Sequence, residues 1–131
     1  MAKVRGIEGS FDQSFTFLPG FWSGFGITAN AAYIKSEAEY PGREDEKLRL
    51  LRQPELTYNI IPYFQRNGWE FRVAVTHRSD FLVLPRSTAD SFVRQALEIN
   101  PSITKADFDV YESARTGLDI TGAYTFPSKK V

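Results

Sequence analysis

The sequence predicts an all-β fold: an antiparallel, up-and-down meander of about five long strands, with a short helix inside one long connection. Three observations carry the prediction. Apolar and polar residues alternate with a period of two over stretches about twice the length of an ordinary strand. Two such stretches flank Asn67-Gly68, the strongest short-range signal for a β-hairpin. The connections between stretches alternate between tight and long.

The first stretch covers residues 3–18, with Ile7, Gly9, Phe11, Phe15 and Phe17 on one parity and Glu8, Ser10, Asp12 and Thr16 on the other. Leu18-Pro19-Gly20-Phe21 is expected to form a tight turn, because Pro presets one dihedral and Gly supplies the permissive one. The second stretch, residues 22–36, sets Phe25, Ile27, Ala29, Ala31 and Tyr33 against Gly24, Gly26, Thr28, Asn30 and Ala32. Residues 37–52 then become charge-rich around Pro41-Gly42 and read as a solvated loop.

Residues 56–65 and 69–78 form the hairpin. Leu56, Tyr58, Ile60, Pro62 and Phe64 face the same side as Trp69, Phe71, Val73 and Val75. A second long connection covers residues 81–107. Within it, residues 87–100 have helical spacing, with Phe92, Val93, Ala96 and Leu97 on one stripe, Ser87 or Thr88 as cap and Asn100-Pro101 as stop. The last stretch, residues 110–126, places Leu118, Ile120, Tyr124 and Phe126 opposite Asp119, Thr121, Ala123 and Thr125, and a polar turn is expected from Pro127 onward.

The chain has 131 residues, enough for one domain, and a formal net charge of zero, so it lacks the basic footprint of a nucleic-acid binder. Without cysteine, neither a disulfide framework nor a thiolate metal site is available. No apolar run reaches the roughly 18 residues of a membrane-spanning helix, and the first twenty residues do not read as a secretory signal. Alternating barrel strands average out in a hydropathy window, so the modest mean hydropathy is compatible with a strand-built membrane protein.

The placement of the rings favours that class. Phe17, Phe21 and Trp22, then Phe64, Trp69 and Phe71, then Tyr124 and Phe126 cluster at the tight-turn ends as candidate membrane-interface aromatics. Short turns at one end, long loops at the other and a girdle of rings describe part of a large transmembrane β-barrel. The small residues of the second stretch would pack poorly against another sheet and suit the wall of a wet space.

Several segments also resemble TonB-dependent outer-membrane receptors. Val4-Arg5-Gly6-Ile7-Glu8-Gly9-Ser10 with Phe17-Leu18-Pro19-Gly20-Phe21 is similar to that family's "RG-hydrophobic-E" strand and "LPG" turn. Pro54-Glu55-Leu56-Thr57-Tyr58-Asn59, then Gly68-Trp69-Glu70-Phe71-Arg72 with Arg78-Ser79-Asp80-Phe81, then Ala114-Arg115-Thr116-Gly117-Leu118-Asp119 follow in the family's order. The resemblance implies a fragment of the C-terminal half of a plugged, roughly 22-stranded barrel. Its implied role is energised uptake of a scarce nutrient: a siderophore, vitamin B12 or an oligosaccharide. The implied partners are outer-membrane lipid, the plug domain of the full-length receptor and, through that plug, the TonB complex. The implied location is the cell outer membrane of a Gram-negative bacterium.

Nothing in the residues points to an enzyme, a cofactor or a metal site. His77 is the sole histidine, Glu44-Asp45-Glu46 lacks the spacing of a calcium loop, and Asp107 and Asp109 read as solvated loop residues. The polar parity supplies the candidate lumen-facing residues Glu8, Asp12, Asn30, Asn59, Glu70 and Arg72. Ligand contacts are expected from the two long loops. The main alternative is a small soluble lipocalin-like β-barrel binding an apolar ligand, its apolar parity turned inward; an ordinary porin fragment is a third.

Overall fold

The computed structural model describes residues 1–87 and 90–127. The main sheet runs in the order β1 (Ala2–Ser14), β2 (Phe25–Tyr40), β4 (Leu56–Arg66), β5 (Trp69–Arg78) and β8 (Arg115–Tyr124), with β3 (Arg43–Leu48) paired to β2 off that path. The sheet is open, and β1 and β8 are its edges. A separate two-stranded ladder joins β6 (Phe81–Leu84) to β7 (Val110–Glu112), and one helix, α1 (Ser91–Ile99), lies between them in sequence. The expected all-β antiparallel meander of five long strands is therefore present.

Its best-specified element is the β4–β5 hairpin. Asn67 and Gly68 both take positive φ, 53° and 82°, as the two central residues of a type I′ turn must. That turn twists with the same hand as its strands, so the ladder stays in register to its open end, where the Ser79 N–H donates to the Leu56 carbonyl at 2.9 Å.

Four expectations need correction. The connection after β1 is not a tight turn at Pro19-Gly20. β1 ends at Ser14, the Phe15 N–H donates to the Phe25 carbonyl at 2.8 Å, and the chain between loops out through a 3-10 turn at Gly20–Gly24. Pro19 has no N–H to continue a ladder, and Gly20, at φ 62°, redirects the chain into that turn. Most of the charge-rich residues 37–52 are not loop either: only the turn at 41–42 and residues 49–52 lie outside strands. β2 extends to Tyr40 and pairs antiparallel with β3, Ala38 opposite Leu48 and Tyr40 opposite Arg43, with a register shift between. Gly42, at φ 80°, makes the reversal, and alternating charges such as Glu37 and Lys47, 3.8 Å apart, suit a solvated ladder.

The second long connection contains more order than its composition suggested: β6 and β7 pair antiparallel with Phe81 opposite Glu112 and Leu82 opposite Tyr111. The last alternating stretch is correspondingly split, residues 110–112 serving this ladder and 115–124 the main sheet. Finally, α1 starts at Ser91 with Asp90 as its N-cap residue, not Ser87. Thr88, the other expected cap, and residues 128–130 of the expected C-terminal turn lie outside the described residues. The helix does stop at Asn100, whose N–H donates to the Ala96 carbonyl.

Contacts divide the chain into two compact units. The first comprises Met1–Ile7, Tyr33–Leu56 and Arg78–Arg115. The buried hydrophobic residues among those described, Ala38, Phe81, Leu82 and Val93, all belong to it. The second comprises Glu8–Ala32, Thr57–His77 and Thr116–Val131, with large apolar side chains of its strands in the open: Leu118 and Ile120 keep 63% and 72% of their surface exposed.

Candidate functional site

The second unit is a sheet with one polar and one apolar face. On its polar face, short side chains bond sideways to their neighbours. The Thr28 hydroxyl donates to Asp12 Oδ2 at 2.7 Å, and the Thr76 hydroxyl donates to Asn59 Oδ1 at 3.2 Å. Arg72 Nε donates to Glu70 Oε1 at 2.8 Å, and its guanidinium lies 5.9 Å from the Tyr63 ring centre. Glu8 and Asn30 line one groove of about 490 Å³ together with Ser10, Ala32 and Thr57. Of the six predicted polar-face residues, the structure thus brings Glu8 and Asn30 to one groove and Glu70 to Arg72. Asp12 and Asn59 are instead bonded to threonines on neighbouring strands. The result is a hydrophilic face with polar groups spread along it.

Gly26 explains how this polar face accommodates a large ring. The ring of Tyr63 covers Gly26 so closely that a β-carbon there would lie 2.2 Å from its Cζ. On the apolar side Phe64 covers Gly24, the last residue of the 3-10 turn, with its Cε2 2.7 Å from where a β-carbon would stand. An aromatic side chain laid across a strand glycine covers backbone that would otherwise be bare and pins the register.

All the predicted aromatics but Phe17 form two groups in the same unit. Phe21 meets Phe64 at 4.8 Å between ring centres and Trp22 at 6.0 Å; Phe25, which was not among the predicted interface rings, sits among all three at 4.9–5.6 Å. Trp69 packs on Phe71 at 5.7 Å and on Tyr124 at 4.6 Å, and Tyr124 meets Phe126 edge-on at 4.9 Å. Phe17 contacts Phe15 at 6.1 Å. Phe21, Phe64, Arg66, Asn67 and Trp69 also line a common shallow groove of about 370 Å³ beside the hairpin turn. These rings remain largely solvent-accessible: Phe126 is 79% and Trp22 61% exposed. His77, on the same parity, stacks on Tyr58 at 4.9 Å and shares a 2.8 Å hydrogen bond between Nδ1 and the Thr116 hydroxyl.

The first unit holds a polar knot that the sequence did not announce. Arg43 has no exposed side-chain surface, and Asp109 has 1%. Arg43 grips Glu46 with two nitrogens, at 3.2 and 2.5 Å, and reaches Asp109 Oδ1 at 2.5 Å and the Arg86 carbonyl at 3.2 Å. The Arg86 N–H also donates to Asp109 Oδ1, at 2.9 Å. Asp109 was expected to be solvated; it is instead the buried counter-ion that ties the β2–β3 hairpin to the chain flanking β6 and β7. Its Oδ2 is buried without a hydrogen-bond partner among the described residues. The bonds from Arg43 hold the Glu46 carboxyl below its usual range, and the Glu46 carboxylate raises Arg43 in return. Asp107 is lowered by the Thr104 N–H and hydroxyl, which donate to it at 2.7 and 3.0 Å in a capping box.

A second polar cluster closes the open end of the hairpin. The Ser79 hydroxyl accepts the Glu55 and Leu56 N–H groups at 3.0 and 3.1 Å, and Arg49 bridges Glu55 and Asp80 at 3.2 Å each. Arg78 lies 4.8 Å from the Phe81 ring centre and pairs with Glu112. Two of the sequence motifs, Pro54-Glu55-Leu56 and Arg78-Ser79-Asp80-Phe81, therefore meet in space as a strand-end clasp.

Comparison with protein-family models, with curated proteins and with solved structures gives no match.

Proposed function

We propose that this chain is wall and outer loops of an outer-membrane β-barrel receptor of the TonB-dependent type, serving uptake of a scarce nutrient. One observation carries the membrane part of the reading: the second unit buries none of its described hydrophobic side chains fully, yet exposes an apolar, ring-bordered face backed by a polar one. In water such a face is costly, at about 25 cal/mol for each Å² of apolar surface. Against hydrocarbon it is the required solution. Strand length agrees, since β4, β5 and β8 have 11, 10 and 10 residues and a transmembrane strand needs about 9–11.

The receptor assignment rests on the order of the family-like motifs and on the long excursions that the Arg43–Asp109 knot organises. In this reading the polar lining meets the plug domain or the passage, and the excursions present the surface that selects the ligand. A lipocalin-like soluble barrel would instead turn the apolar face inward and bury it, and the exposed Leu118 and Ile120 of β8 do not favour that arrangement. The test is detergent dependence. The full chain should collapse or aggregate in plain buffer and give a stable sheet signal in a barrel-compatible detergent. A detergent-free monomer with a cooperative unfolding transition would overturn the reading.

A further inference from the structure

The apolar parity of β1 and β2 changes character abruptly at one end. Ile7 and Tyr33 are its last large apolar members there, and both are exposed. Gly6 lies against Ile34, its absent β-carbon 3.1 Å from the Ile34 side chain, which fixes the pairing of the two strands at this point. Ile7 and Tyr33 are therefore neighbours across the strands, and one step further along the same face so are Arg5 and Lys35. Lys3 follows beside Glu37, and Lys3, Arg5, Lys35 and Glu37 line a groove of about 240 Å³.

The charges in this groove are unbalanced. Glu37 lies 3.8 Å from Lys47, and the nearby Glu39 is engaged by the Met1 ammonium at 2.8 Å. Arg5 and Lys35 have neither an ion pair nor a side-chain hydrogen bond among the described residues, although they stand side by side and repel each other. All of these residues belong to the first unit. They lie at the end of the strands that leads into the β2–β3 hairpin.

We propose that Arg5, Lys35 and Lys3 form a binding site for the phosphate of an anionic lipid headgroup, with Ile7 and Tyr33 packing on the top of the same lipid's acyl chains. This rests on the membrane reading given above. An unpaired cationic pair directly above an apolar rung is complementary to a lipid in both charge and depth. Each cation held near an anionic membrane surface contributes about 1 kcal/mol, or roughly a fivefold gain in binding. Arg can also fork two N–H groups onto phosphate oxygens. A phosphate would relieve the Arg5–Lys35 repulsion.

The test uses the full chain, refolded in detergent and transferred to vesicles of pure phosphatidylcholine or of phosphatidylcholine with one-fifth phosphatidic acid. The expected result is association with both, stronger by at least tenfold with the anionic lipid. That preference should be largely lost in Arg5→Gln/Lys35→Gln and restored in the charge-matched Arg5→Lys/Lys35→Arg. Arg94→Gln on α1 should leave it intact, and free glycerol phosphate at millimolar concentration should not displace the lipid. A preference that survives Arg5→Gln/Lys35→Gln, or equal association with both vesicles, would overturn the site while leaving the membrane reading standing. Association with neither vesicle would overturn both. Displacement by glycerol phosphate would overturn the lipid as occupant in favour of a free phosphate.

Discussion

The ring of Tyr63 lies over the backbone of Gly26, leaving no room for a β-carbon: one added there would sit 2.2 Å from Cζ and 2.3 Å from the phenol oxygen. Gly26→Ala should therefore destabilise the sheet, by about 1–3 kcal/mol, as overpacking does. In a Tyr63→Ala background the sign should reverse, because a strand glycine is otherwise about 0.5–1 kcal/mol worse than alanine. A double-mutant cycle by denaturant unfolding in detergent checks both signs.

Arg43→Ala should be the most damaging single substitution in the excursions. It strands the buried Asp109 carboxylate, and breaking a buried pair from one side costs about 3–5 kcal/mol. Arg43→Met/Asp109→Leu should recover much of the loss, since no buried charge is left behind. Hydrogen exchange should show β3, β6 and β7 losing protection together in the single variant.

Acid should loosen the same knot. The Glu46 carboxyl is depressed in the folded chain, so its contribution is fully present above the unfolded value of 4.5 and is lost as pH falls through the lower folded value. Asp107 behaves likewise below its ordinary 3.8. Exchange protection of β3 should therefore fall below about pH 4, and Glu46→Gln should remove much of that pH dependence while lowering protection at neutral pH.

Gly68→Ala should weaken the hairpin that organises the sheet. Gly68 holds φ 82°, and an added β-carbon would approach the Thr125 carbonyl oxygen to 2.6 Å. The cost should exceed the roughly 1 kcal/mol of a simple glycine exchange. Asn67→Gly, which suits the same turn, should be nearly neutral in the same unfolding measurement.

The hairpin was legible because Asn67-Gly68 carries its own geometry and ten-residue alternation on both sides leaves one register. The polar face was legible for the same reason: parity alone placed Asp12, Asn59, Glu70 and Arg72 on it. What escaped was everything set by contacts between distant segments. The run from Glu37 to Arg52 has the composition of a loop, and only the Tyr40–Arg43 reversal and the Arg43–Asp109 pair, sixty-six residues apart, make it a ladder. Phe25 was readable as an apolar-face residue but not as the centre of a ring cluster, because the 3-10 turn that folds Phe21 and Trp22 onto it has no sequence periodicity. Nothing in the neighbourhood of Asp109 marked it as buried.

If the chain is barrel wall as proposed, the odd-numbered face of β5 meets hydrocarbon and the even-numbered face meets water. Val73→Arg should then cost about 2–4 kcal/mol in a bilayer and Thr76→Arg about 0–1 kcal/mol. Nitroxide labels placed singly at Val73, Ala74, Val75 and Thr76, with the chain reconstituted in lipid vesicles, report which face meets lipid. The labels at Val73 and Val75 should be relaxed by dissolved oxygen, and those at Ala74 and Thr76 by a water-soluble nickel chelate. Equal accessibility at all four, or the reverse alternation, would contradict it.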